Sequence, residues 1–227
     1  MKNSKLNKVQ RQAVEENKGP VLVFAGAGSG KTRVLTHKIH QLIKVEGYKP
    51  YNILSVTFTN KAAKEMKERV STLIGDKEIS INIGTFHSIC ARLLRKEAKN
   101  IDFNPDFAIY DVQDQLDIIK IIFKELDIPK DITTPNQARN HISFQKNMMN
   151  STTSQLKKAK TIFDKTMVEV FKEYKKKLKE NDALDFDDLL LLPLKIFDNY
   201  PKILAKYQSL WKYILVDEYQ DTNFIQS

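Results

Sequence analysis

The 227-residue chain is 41% hydrophobic and 29% charged, the balance of a globular protein long enough to bury a substantial core. No apolar run approaches the roughly eighteen residues of a membrane span, and the amino terminus MKNSKLNKVQ has no apolar stretch, so the expectation is a cytoplasmic protein with no membrane partner. The single cysteine argues against a disulfide framework or a cysteine-rich zinc site, and the net charge of +9 points to a polyanionic partner.

Residues 8–14 precede the most informative segment, VLVFAGAGSGKT at 21–32. Its apolar β-type run predicts a strand that breaks into a glycine-rich loop ending Gly30, Lys31, Thr32. Gly26, Gly28 and Gly30 allow a tight turn whose N–H groups face inward, and the following helix adds the partial positive charge of its amino terminus. Such a loop binds polyphosphate: Lys31 is placed to reach the β- and γ-phosphates and Thr32 to offer its hydroxyl to Mg²⁺. Ala27 and Ser29 complete the loop. Ala25 occupies the first position of the usual G-x-x-x-x-G-K-[ST] pattern, a small residue that departs from the strict form.

Helical spacing follows at 33–45 (Val34, Leu35, Ile39, Leu42, Ile43), then a buried strand at 51–58. Thr59 or Asn60 is placed to cap the next helix, whose apolar face is Ala62, Ala63, Met66 and Val70. A third strand is expected at 79–85, a helix at 87–99 carrying Cys90 as a buried thiol, and a short fourth strand at 107–110. This strand–helix alternation predicts a mostly parallel sheet covered on both faces. From 111 to 182 helical periods dominate (Leu116, Ile119, Ile122, Phe123, then Val168, Phe171, Tyr174, Leu178), punctuated by Pro129 and Pro135. A helix at 186–197 and a strand at 213–217 complete the pattern. The expected fold is therefore α/β, with residues 1–110 and 183–227 forming the sheet domain and 111–182 a mainly α-helical insertion.

The last strand, YILV, delivers Asp217 and Glu218 at its carboxyl end, where α/β sheets place ligands. Alone, the pair reads as an acidic turn. Combined with the Lys31 loop, it reads as a hydrolytic half-site: Asp217 holds Mg²⁺, and Glu218 orients and deprotonates the attacking water. Residues 139–179 hold eleven basic side chains against three acidic ones, including Lys157, Lys158, Lys160 and the run Lys175–Lys176–Lys177. A solvated helix face and a phosphate-backbone contact account for this equally well. His37, His40 and His141 have no partners at metal-ligand spacing. Asp185, Asp187 and Asp188 are read as an acid-rich helix start favoured by the helix dipole, and Trp211 as packing beneath the last strand.

With these positions placed, LNKVQRQAV (6–14), AGAGSGKTR (25–33), VTFTNKAAKEM (56–66), GTFHS (84–88), LDFDDLL (184–190) and DEYQDTN (217–223) resemble, in order, the motifs of superfamily 1 DNA helicases of the UvrD/Rep/PcrA type. The resemblance spans the chain and implies a RecA-like P-loop NTPase domain with its inserted helical subdomain. It also implies roles that spacing does not supply: Gln10 reads the adenine, which makes the nucleotide ATP, and Arg33 lies near it. Phe58, Thr59, Asn60, Thr85 and His87 match the family's single-strand DNA contacts. Polar groups at strand ends suit phosphate binding, and Phe58 and Phe186 can stack on unpaired bases at roughly 1–3 kcal/mol each.

In that family the γ-phosphate sensor and arginine fingers lie further along, mostly on a second RecA-like domain. Such an arginine is worth about 10³–10⁵ in rate in related NTPases, so the 227 residues alone are expected to hydrolyse ATP very slowly and not to unwind. The resemblance implies the amino-terminal motor of an ATP-dependent 3′-to-5′ helicase acting on single-stranded DNA and a duplex junction. A motor portion of an AddA/RecB-like helicase-nuclease and a non-catalytic nucleotide-dependent DNA-binding module are the alternatives. A phosphotransferase kinase is disfavoured, since nothing resembles an acceptor pocket.

Overall fold

Strand β1 (Ile53–Thr57) is buried at all five positions, as an ILSVT run must be when both faces of a parallel strand are covered. The computed structural model describes residues 6–26, 28–129, 131–223 and 225–226. β1 pairs in parallel with β2 (Asn82–Thr85) on one side and with β5 (Tyr213–Val216) on the other, giving the order β2-β1-β5. The chain leaves β1 through α3 (Asn60–Ile74) to one side and returns at β5 on the other. Strand order therefore reverses between β1 and β5, and the crevice beyond their carboxyl ends is where an open α/β sheet takes a ligand.

Helix α1 (Lys8–Glu15) and helix α2 (Lys31–Lys44) precede the sheet. On one face Ile39 and Leu42 of α2 and Met66 and Val70 of α3 close over Ile53 and Ile81. The buried Ser55 hydroxyl donates to the Met66 thioether at 3.1 Å, so the polar side chain at the middle of β1 is not left unpaired. A second cluster joins Leu54 and Val56 to Ile89 of α4 (Phe86–Lys96), with Phe86 and Trp211 packed against it. Trp211 thus packs on β1 and α4. It is reached through α10 (Pro201–Leu210), a helix not foreseen from the sequence.

Two expectations are corrected. Residues 21–24 form no strand, and their side chains are 43–91% exposed. An apolar run becomes a strand only where it pairs in a ladder, and this run pairs with neither outer edge of the sheet, β2 or β5. The short strand β3 (Ala108–Tyr110) does not continue the main sheet but pairs in parallel with β4 (Ala183–Asp185), a strand not anticipated from the sequence. The chain divides into two compact units, Met1–Ile89 with Lys202–Asp221 and Cys90–Pro201 with Thr222–Ser227.

The second unit is the helical one. Helices α5 (Val112–Glu125), α6 (Pro135–Asn147), α7 (Thr152–Lys158), α8 (Ile162–Glu180) and α9 (Phe186–Asn199) surround a core of Ile119, Ile122, Ile142, Met167, Phe171 and Tyr174. Pro135 begins a helix here: it occupies the first turn of α6 behind a Thr134 capping box, where its missing N–H has no partner to lose. Among the described residues no helix is long and apolar enough to cross a membrane.

Candidate functional site

The phosphate-type loop enters α2 through Gly30, whose φ of 91° is left-handed, as is the 73° of Gly28. Only glycine adopts both without strain. Gly26 is not in this region, and a Cβ there would meet nothing within 4 Å. It instead closes the turn with its carbonyl, which accepts from the Ser29 N–H at 3.3 Å and the Ser29 hydroxyl at 2.7 Å. Ala27 lies outside the described residues. Lys31 and Thr32 therefore open α2, with the helix's unpaired N–H groups beside them.

Gln10 meets the same loop. Asn7 caps α1 by accepting from the Gln10 N–H at 2.8 Å, while the Gln10 Oε1 accepts from the Asn7 N–H at 3.0 Å. The remaining amide nitrogen donates to the Ser29 carbonyl at 2.8 Å. One side chain thus ties the amino-terminal helix to the loop. A residue the sequence did not single out holds the other end: Lys38, 7% exposed, donates from Nζ to the Val14 carbonyl at 2.9 Å, to the Glu16 carbonyl and to Asn17 Oδ1 at 2.6 Å. Burial lowers its pKa, and those acceptors at the end of α1 fix that helix on α2. In sequence it is one lysine in an amphipathic helix, with no signal marking it.

The last strand converges on the loop. The Asp217 N–H donates to the Val56 carbonyl at 2.9 Å, extending the β1–β5 ladder by one bond and leaving the side chain at the crevice, 6% exposed. Glu218 then turns into the left-handed region at φ 52°, a conformation that costs a non-glycine residue about 1–3 kcal/mol. Its carboxylate lies 3.3 Å from the Lys31 Nζ, which also donates to the Ala25 carbonyl at 3.4 Å. Burial and then the Glu218 charge raise the Asp217 pKa, whereas a hydrogen bond from Gln220 and the Lys31 ammonium lower that of Glu218. Residues 31 and 218 are thus in contact. Arg33 sits exposed in the first turn of α2.

The expected DNA contacts divide. Thr59 and Asn60 are exposed at the start of α3, where the Thr59 hydroxyl accepts from the Ala62 N–H at 3.1 Å as the helix cap. Thr85 is 7% exposed and its hydroxyl accepts from the Ser88 N–H at 3.2 Å, so its visible work is to cap α4. His87 is half-buried in the first turn of that helix. Phe58 is half-buried, its ring 5.6 Å from that of Phe86, and Phe186, in the other unit, is 44% exposed.

The basic stretch is less open than its composition implies. Lys146, 3% exposed, lies 2.7 Å from both Asp185 and Asp188 and stands over the Tyr174 ring. Lys176 pairs with Glu173 and Glu180, and Lys177 with Glu125 at 2.9 Å. Asp185 caps α9 with Asp188 as its capping-box partner, so the acid-rich helix start is structural, as its position implied. Burial pushes the Cys90 thiol up to about 12.

A parallel sheet with a phosphate-type loop, a lysine at its end and an acidic pair just beyond a strand's carboxyl end defines the class, an α/β protein of the P-loop type. The model of the UvrD/REP helicase N-terminal domain matches residues 6–227, and the chain belongs to that family. It is 47% identical to the ATP-dependent DNA helicase PcrA of Bacillus subtilis over 98% of its own length, and 43% identical to PcrA of Staphylococcus aureus over 97%. The Staphylococcus epidermidis PcrA is 44% identical over the same share. The chain spans about 30% of the length of each of these relatives.

Proposed function

We propose that the chain binds Mg-ATP and single-stranded DNA as the amino-terminal motor portion of an ATP-dependent 3′–5′ DNA helicase. The observation that carries this reading is the 3.3 Å approach of Lys31 to Glu218, which unites a phosphate-binding loop and a carboxylate-bearing strand end 187 positions apart in the chain. What supports a magnesium-bound triphosphate is the set of left-handed Gly28 and Gly30, the helix start of α2, the Lys31 ammonium and an Asp217 carboxyl near enough to feel the Lys31 charge. That nucleotide supplies the hydrolysable anhydride.

Within this reading Lys31 binds the β- and γ-phosphates, exchanging a half-exposed carboxylate partner for them. Such an exposed pair is worth under about 1 kcal/mol, so the exchange costs little. Thr32 and Asp217 hold the magnesium ion. Glu218, released from Lys31 and kept ionised by its hydrogen bond from Gln220, orients a water and takes its proton. Gln10, already fixed to the loop through Ser29, offers the adenine its side-chain amide, and Arg33 sits beside the phosphates. Thr59, Asn60, Phe58, Thr85 and His87 form the strand-facing rim of the sheet unit, with Phe186 a stacking surface of the helical unit.

Titration with a fluorescent ATP analogue and magnesium tests this. The parent chain is expected to bind, K31A to lose binding by tenfold or more, and E218Q to retain it. Equal affinity of K31A and the parent would remove the nucleotide assignment. Single-strand affinity that changes with Mg-ATP supports a motor, and indifference assigns a non-catalytic DNA-binding module instead.

A further inference from the structure

Helix α1 carries Gln10, and at eight residues it is too short to hold its own position. Its buried side chain, Val14, packs with Leu6 and with Val34 of α2. Gln10 and Val14 are four apart and share one face of the helix. Gln10 is aimed from both of its terminal atoms: Oε1 accepts from the Asn7 N–H at 3.0 Å, and Nε2 donates to the Ser29 carbonyl at 2.8 Å. Both assignments are forced, since a backbone N–H only donates and a carbonyl only accepts. A side-chain amide has two acceptor and two donor positions, so one of each remains. Such an acceptor–donor pair matches the N6 amino group and N7 of adenine, whereas guanine presents two acceptors, O6 and N7, on the same edge. The match holds only if the amide is kept in place, and its place is that of α1.

The far end of the helix is held by Lys38, on the buried side of α2. An ammonium has three N–H donors and no acceptor, and Lys38 Nζ meets three oxygens: the Val14 carbonyl at 2.9 Å, the Glu16 carbonyl, and Asn17 Oδ1 at 2.6 Å. Val14 is in the last turn of α1 and Glu16 is its carboxyl cap, so a positive charge sits where the helix dipole is negative. Asn17 is fixed in turn, its amide donating to Glu46 at 3.0 Å and its carbonyl accepting from the Tyr213 hydroxyl at 3.3 Å. A buried charge is a poor source of stability, since an apolar side chain packs there without the desolvation cost. What three directed hydrogen bonds supply instead is placement. Val14, whose carbonyl Lys38 holds, is about 6 Å along the helix axis from Gln10, so a shift at one end is passed to the other.

We infer that Lys38 is a positioning residue for base recognition: by fixing the carboxyl end of α1 it sets the placement of the Gln10 amide, and with it a preference for adenine over guanine nucleotides. The inference rests on the Mg-ATP reading above. The test measures the affinity of the 227-residue chain for ribose-labelled fluorescent analogues of ATP and GTP with magnesium. The ratio of the two affinities is the readout, because a merely structural loss weakens both alike. The parent is expected to favour ATP about tenfold, Q10A to favour neither, and K38M to lower the ratio by about threefold or more while GTP-analogue affinity stays near the parent's. A smaller drop overturns the inference. So does a further drop when K38M is added to Q10A, since Lys38 would then act other than through Gln10. Should K38M fail to fold, Asn17→Ala removes one of the three acceptors instead: a ratio lowered about twofold is expected, and an unchanged one overturns the inference. A parent that binds both analogues equally also overturns it, and leaves the nucleotide reading standing if K31A weakens both. A parent that binds neither removes that reading. The Gln10 side-chain amide resonances then decide the positioning: they are expected to move in K38M, and unmoved resonances overturn it.

Discussion

Removing the Lys146 ammonium should destabilise the helical unit more than any ordinary surface change. Its Nζ lies 2.7 Å from Asp185 Oδ2 and 2.7 Å from Asp188 Oδ2, with lysine and Asp185 side chains 2% and 1% exposed. In Lys146→Met the methylene stem is largely replaced, so the lost term is charge compensation. Breaking a buried pair by deleting one partner costs about 3–5 kcal/mol, because the other charge stays in a poorly solvated site. Asp185 retains the Tyr174 hydroxyl at 3.0 Å and the Asp188 N–H at 2.9 Å, so the stranded charge is chiefly Asp188, and a cost of about 4 kcal/mol is expected at pH 7.5. The pH dependence fixes the cause. Asp188 already titrates at about 6, above the ordinary 3.8, because burial outweighs the lysine. Without the lysine, burial acts unopposed and its folded pKa rises further. A carboxyl raised in the fold favours folding when protonated and penalises it as pH climbs through the folded value. The deficit should therefore shrink toward pH 5 and be largest above pH 7, and K146M/D188N should recover much of it. Urea unfolding of the three proteins at pH 5 and 7.5 measures this. A K146M deficit below about 1 kcal/mol, or one equal at both pH values, would refute the account.

Three further outcomes are expected. Thr59→Ala removes the cap of α3 and should cost about 1 kcal/mol in thermal or chemical unfolding; single-strand affinity that falls further than Thr59→Ser allows would assign the hydroxyl to DNA as well. Gly30→Ala places a Cβ 3.0 Å from Gln10 Nε2 at a φ of 91°, so about 1–2 kcal/mol of backbone strain is expected, together with weakened ATP-analogue binding; an unchanged melt and affinity would contradict both. With its pKa near 12, Cys90 exists as thiolate in only about one part in 10⁴ at pH 8. Labelling by iodoacetamide should accordingly be far slower than for a free thiol and become fast only in denaturant.

What the sequence disclosed and what it withheld follow from how each feature is held. The Lys31 loop and the Asp217–Glu218 pair are contiguous motifs and were legible as such before any coordinates, whereas the 3.3 Å contact of Lys31 with Glu218 is a product of the fold. The Thr59 cap and the acid-rich start of α9 were legible for the same local reason. The run at 21–24 misled because its apolar character marks a capacity to pair, whereas pairing itself depends on how the rest of the chain is placed, and no ladder forms there. β3 and β4, three residues each and 73 positions apart, carry too little pattern to announce that they belong to one another.

The lysines make the same point quantitatively. In composition Lys146, Lys176 and Lys177 are three of eleven like charges in a stretch that reads equally as a solvated helix face or a phosphate contact. In the fold one is buried between two aspartates and two are matched by glutamates. Charge count overstates a binding surface wherever helices pack, because α5, α6, α8 and α9 bring acids to the same place as bases.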